Sequence, residues 1–171
     1  MSALDRGVWG VVATPFAGPS LAVDHDGLAG LVTHYERIGV VGLTVLGVFG
    51  EAAQLDTDER RAVLETVRDA VALPLVAGVT ALGTAPAVEE VRQAQRVAGD
   101  RLAAVMVQVN SPNPAVLTAH LRAIHEATGA VVVVQDYPVV SGVTIGADAQ
   151  VAAVRPLPFV AGVKAEAPPT P

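Results

Sequence analysis

The sequence contains no cysteine. That absence removes a disulfide framework, a thiolate zinc site and a thiol nucleophile from the functions open to the chain. Lysine is nearly absent as well. Ten of the eleven basic residues are arginine, and Lys164 is the single lysine among 171 residues. The basic residues are scattered and the net charge is −6, so neither a nucleic-acid groove nor an anionic membrane surface is expected as a partner. Neither G-x-G-x-x-G nor G-x-x-x-x-G-K-[ST] occurs, which argues against an open-sheet nucleotide binder. Long hydrophobic runs are missing too. Of the two uncharged stretches, Ala70–Val88 is broken by Pro74, Gly78, Gly83 and Pro86, and Leu102–Ala119 by Gln108, Asn110 and Asn113. The opening residues M-S-A-L-D-R-G lack the basic-then-apolar pattern of a secretory signal, and a soluble, cytoplasmic protein is the expectation. His25, His34, His120 and His125 show no metal-ligand spacing with carboxylates. They read as structural or solvent-facing, and neither a metal nor another cofactor is expected.

Against those absences stands a regular alternation. Valine-rich apolar runs recur at Val8–Ala13, Val41–Leu46, Leu75–Val79, Ala103–Val109, Val131–Val134 and Phe159–Val163, flanked by glycine or proline. Such runs fit short parallel strands buried on both faces. Between them, Asp26–Ile38, Thr57–Val71, Ala85–Val97, Pro114–Ala127 and Ala147–Val154 carry helical spacing of apolar residues or helix-start signals. The strand starts repeat at about thirty residues, the length of one βα unit. An open doubly wound sheet and a (β/α)8 barrel both satisfy this order. The turn after the first run is A-T-P-F rather than a glycine-rich phosphate loop, which favours the barrel. A whole barrel takes about 250 residues. Six strands in 171 residues therefore predict one incomplete (β/α)8 TIM-barrel domain over residues 1–171, with open edges at its first and last strands.

Four segments, in order, give the chain a family resemblance. They are G-V-V-A-T-P-F (Gly10–Phe16), G-V-F-G-E (Gly47–Glu51), V-Q-D-Y-P-V-V-S-G (Val134–Gly142) and F-V-A-G-V-K-A-E (Phe159–Glu166). Together they resemble the first six units of the dihydrodipicolinate synthase and N-acetylneuraminate lyase family of Schiff-base-forming barrel lyases. The resemblance implies that Lys164 is the imine-forming lysine. It implies that Gly47, Val48 and Phe49 bind the carboxylate of a 2-keto acid, with Val48 and Phe49 standing where the family has two threonines. Gln135 stands where the family places its relay tyrosine, Tyr137 lies two residues later, and Val140 replaces the family's arginine. Homo-oligomers are common in the family, so a homo-oligomer is expected.

The residues themselves support part of this reading. Lysine, unlike arginine, can lose its proton and attack a carbonyl. Strand alternation puts Val160, Gly162 and Lys164 on one face, with Gly162 leaving room beside the amine. Apolar surroundings are expected to disfavour the ammonium form. The anion site rests on backbone N–H groups of a strand-to-helix turn, which survive the loss of both threonine hydroxyls. Tyr137, Asp136, Glu166 and a water held by Gln135 are the proton-transfer candidates, Asp136 and Glu166 otherwise reading as solvated loop carboxylates. Two functions follow. One is an aldolase- or dehydratase-type lyase acting on pyruvate or another 2-keto acid. The other is a truncated or non-catalytic family member.

Overall fold

A computed structural model describes residues 4–168, and packing divides them into two compact units. One comprises residues 4–78 with 93–103, the other residues 79–92 with 104–168.

In the first unit, β1 (Trp9–Val11) runs into a small antiparallel hairpin, β2 (Phe16–Ala17) with β3 (Ala22–Val23). Helix α1 (His25–Arg37) starts at Asp24, whose side chain accepts from the Gly27 N–H. Strand β4 (Gly42–Val45) follows, then α2 (Thr57–Ala70) and β5 (Leu75–Val79). Asp56 and Glu59 close a reciprocal capping box at the start of α2, with bonds of 2.8 and 2.9 Å. β1, β4 and β5 are parallel neighbours, in register at Gly10↔Leu43↔Leu75. The core is Leu28 and Val32 of α1 and Val63, Leu64 and Val67 of α2, packed on Leu43, Val45 and Leu75. Helix α3 (Thr84–Ala98) adds Ala94, Val97 and Ala98 to it.

The second unit repeats the arrangement with β6 (Leu102–Gln108), α4 (Pro114–Thr128), β7 (Val132–Asp136), a single turn α5 (Pro138–Ser141), α6 (Ala147–Val154) and β8 (Val160–Ala165). α4 opens with an Asn113 cap and Pro114, and ends at Gly129 with φ 70°. β6, β7 and β8 are parallel, and Leu117, Leu121 and Ile124 of α4 are fully buried with Val105, Val107, Val132 and Val134.

All six expected strands form, and β7 and β8 each run two residues beyond the apolar run that signals them. Polarity ends the hydrophobic pattern there without ending the ladder: Gln135 pairs with Lys164, Asp136 with Ala165, and the Glu166 N–H donates to the Asp136 carbonyl at 2.9 Å. The β2/β3 hairpin has two residues per strand, too few to alternate visibly. Among the described residues, no helix is long and apolar enough to cross a membrane.

Candidate active site

Lys164 lies inside β8 at its carboxyl end. Along that strand Val160, Gly162 and Lys164 are half-buried while Ala161, Val163 and Ala165 are exposed, which is the face assignment expected from the sequence. A Cβ built on Gly162 would meet no atom within 4 Å, so the strand is open at Gly162, two residues before the lysine.

The neighbours of Lys164 follow from register. Gln108 of β6 pairs with Gln135 of β7, and Gln135 with Lys164. Paired residues of a parallel sheet share a face, so these three side chains form one polar row at the strand ends. Gln135 is 3% exposed and Gln108 7% exposed, which makes the row buried on one side. The surround of the amine is polar rather than the apolar one expected. The Lys164 Nζ lies 2.8 Å from Glu166 Oε1, and Gln135 Nε2 donates to Glu166 Oε2 at 2.8 Å. Glu166 therefore bridges the lysine and the glutamine rather than standing in solvent. The ion pair is about one-third exposed on both sides, so screening limits its stability contribution to about 1 kcal/mol or less.

Asp136 is also no solvated loop residue. It is the last residue of β7 and 6% exposed, with Oδ1 making no hydrogen bond among the described residues. Alternation turns it to the face opposite Gln135 and Lys164. Tyr137 follows the strand, half-buried, its carbonyl accepting from the Ser141 N–H, and its hydroxyl makes no hydrogen bond among the described residues. Gln108 and Asn110 escaped the sequence reading. Each holds a buried carbonyl oxygen, Oε1 and Oδ1, without a hydrogen-bond partner among the described residues. Buried polar atoms are ordinarily paired, so orphaned acceptors at strand ends mark a place where something polar can bind. The signal available was two amides, Q-V-N, closing an otherwise apolar strand.

Gly47, Val48 and Phe49 belong to the other unit. β4 ends at Val45, the next residue, Leu46, turns the chain out of the strand at φ 58°, and a short 3₁₀ turn, Val48–Gly50, follows Gly47. Glu51, at φ 53°, closes the turn. Two non-glycine residues in the left-handed region cost on the order of 1 kcal/mol each and persist only where surrounding contacts fix them. Those contacts are visible. The buried Thr14 hydroxyl donates to the Gly50 carbonyl at 2.7 Å, and the Arg60 Nε–H donates to the carbonyls of Ala52 and Leu55. Within the turn the N–H groups of Gly50 and Glu51 bond back to the carbonyls of Gly47 and Val48. Those of Val48 and Phe49 are the first two of a 3₁₀ turn, and the turn's own ladder does not use them. Phe49 is 65% exposed.

Each of the four histidines makes a side-chain contact within the chain. His25 Nδ1 bonds the Thr66 hydroxyl, His34 bonds Arg37, and His125 stacks on Phe159 with ring centroids 4.0 Å apart. His120 is buried and its Nδ1 lies 2.9 Å from the Thr84 hydroxyl; desolvation holds its pKa below the usual histidine value.

A 4-hydroxy-tetrahydrodipicolinate synthase from Phenylobacterium zucineum is 37% identical over 163 residues, covering 93% of this chain and 54% of that protein. The crystal structure of dihydrodipicolinate synthase from Rhodopseudomonas palustris superposes with a TM-score of 0.80 at 26% identity, over 98% of this chain and 56% of that one. The structure described as PhdJ bound to a substrate intermediate superposes at 0.79 and 31% identity, over 92% of this chain and 51% of that one. The chain thus spans about half the length of the relatives it matches. Its six parallel strands alternating with helices are a partial TIM barrel. Residues 5–168 match the Dihydrodipicolinate synthetase family, and the chain belongs to that family.

Proposed function

We propose that Lys164 is an imine-forming nucleophile and that the protein is a lyase of aldolase or dehydratase type acting on pyruvate or another 2-keto acid. The observation that carries the reading is the position of Lys164 Nζ. It stands at the carboxyl end of a parallel strand, where barrel enzymes keep their chemistry, with open space at Gly162 and polar neighbours in Gln135 and Glu166. Attack of the free amine on the ketone, followed by loss of water and uptake of one proton, gives a protonated imine. That imine draws electrons from the neighbouring C–C or C–H bond. In the same proposal, Gln135 lines the substrate position and Tyr137 serves acid–base chemistry in the steps after the imine has formed, while the Gly47–Phe49 turn is a carboxylate-binding element through its N–H groups. A cytoplasmic homo-oligomer completes it, on the strength of family likeness.

Borohydride reduction in the presence of pyruvate and a panel of 2-keto acids tests this. Mass spectrometry should find a stable secondary-amine adduct on the peptide containing Lys164 and none in Lys164→Ala. A wild-type chain that traps no 2-keto acid would end the lyase reading, and an adduct persisting in K164A would move the nucleophile. The second reading is a family member that keeps the scaffold without turnover. It draws on the departures Val48, Gln135 and Val140 and gains if the adduct forms but no product follows.

A further inference from the structure

We propose that Glu166 carries the protons of imine formation at Lys164, held for that task by Gln135. The inference rests on Lys164 as the nucleophile and adds a proton carrier to it. Glu166 touches the reacting nitrogen: its Oε1 lies 2.8 Å from Lys164 Nζ. Its other oxygen is anchored by Gln135 Nε2, also at 2.8 Å, and its backbone N–H is tied to the Asp136 carbonyl. A carboxylate fixed at both ends and in hydrogen-bond contact with a nucleophile is the geometry a general base requires.

The other candidates fall away on placement. Asp136 points to the opposite face of the sheet. The Tyr137 hydroxyl makes no hydrogen bond among the described residues, whereas Glu166 is already bonded to the amine. Gln108 and Gln135 are amides, which donate and accept hydrogen bonds but do not exchange protons near neutrality.

The step balances. The ammonium of Lys164 gives a proton to the Glu166 carboxylate, and the freed amine forms the C–N bond to the ketone carbon. Glu166 returns that proton to the ketone oxygen, leaving a hydroxyl on the carbinolamine. The carboxylate then removes a proton from the nitrogen and delivers it to the hydroxyl. Water departs as the nitrogen lone pair closes the C=N bond. Ammonium and ketone become protonated imine and water, with the carboxylate regenerated and no oxidant or reductant involved.

The test is the rate of borohydride-trapped adduct with pyruvate in the full chain. Glu166→Gln should slow trapping about a hundredfold or more. Glu166→Ala should be slowed likewise and recover in proportion to added formate, a rescue that a merely structural role would not give. Glu166→Asp, which keeps the acid on a shorter stem, should fall between wild type and Glu166→Gln. Trapping by Glu166→Gln at the wild-type rate would overturn the proposal, as would a slow Glu166→Ala that formate leaves unmoved. Absence of any adduct in wild type is a different failure, that of Lys164 itself.

Discussion

Alanine at position 78 should be among the most damaging single-carbon additions the chain can receive. A Cβ built there lies 2.0 Å from the Leu46 carbonyl oxygen, 2.6 Å from the Leu46 carbonyl carbon and 2.8 Å from the Gly47 nitrogen. Comfortable contact needs about 3.5 Å, so something must retreat by about 1.5 Å. All three atoms are backbone, and no side chain can rotate to relieve the clash. Leu46 already sits at φ 58°, so the turn has little slack. β4 is held on β5 at Leu43↔Leu75, Thr44↔Val76 and Val45↔Ala77, and moving Leu46 away pulls against that ladder. Overpacking that side chains can absorb costs about 1–3 kcal/mol. A clash confined to backbone belongs at the top of that range, about 3 kcal/mol. For a chain of this size that is a fall in melting temperature of about 6–12 °C. Gly162→Ala is the matched control, because its Cβ would meet nothing within 4 Å. Its melting temperature should stay within about 2 °C of wild type. Thermal melts followed by circular dichroism, run side by side at one protein concentration, decide the matter. Two substitutions with equal melts would refute the argument from contact distances.

Asp56→Ala removes one half of the α2 capping box and should cost about 1 kcal/mol, read as a melting point about 2–4 °C lower, with Asp56→Asn close to wild type. Buried His120 prefers its neutral form in the folded chain, so the unfolded chain takes up a proton first as pH falls below the ordinary value of 6.5. Stability present above pH 6.5 should therefore be lost towards the depressed folded value, by up to about 1.4 kcal/mol per pH unit for this one group. His120→Gln should flatten that part of a denaturation-versus-pH curve, and an unchanged curve would remove His120 as the cause.

The barrel segment was legible because burial on both faces leaves a coarse mark. β4 and β7 are buried at every residue, and their V-G-L-T-V and V-V-V-V runs announce it. Lysine usage was equally direct, since one lysine in 171 residues leaves no competitor for the amine. Contacts that depend on cross-strand register were hidden. Nothing local in A-E-A says that Glu166 reaches the side chain of Gln135, thirty-one residues earlier, because that bond exists only once β7 and β8 pair at Gln135↔Lys164. Asp136 was misjudged for a related reason. A carboxylate beside Tyr-Pro suggests a solvated loop, yet the ladder runs through it and buries it. Gln108 and Asn110 were passed over because amides carry no charge to attract notice, although their buried acceptors lack partners among the described residues.

Gln135 and Glu166 make more sense together than apart. A phenol at position 135, as the resemblance would have it, could take and return a proton; an amide cannot. Its two N–H donors can do something else, which is to fix a carboxylate, and one of them does so with Glu166. On the proposed mechanism two duties that a tyrosine would combine are separated, orientation falling to Gln135 and proton transfer to Glu166. This division predicts an asymmetry between the two side chains. Gln135→Leu would leave the acid present but unheld, so imine formation with pyruvate should slow by about tenfold while the equilibrium yield of adduct stays put. Loss of Glu166 removes the proton carrier itself, and the rate deficit should exceed that of Gln135→Leu. Stopped-time borohydride trapping of the two variants in parallel measures both quantities. Equal deficits, or a deeper one for Gln135→Leu, would overturn this division and leave Glu166 as no more than a partly exposed ion-pair partner.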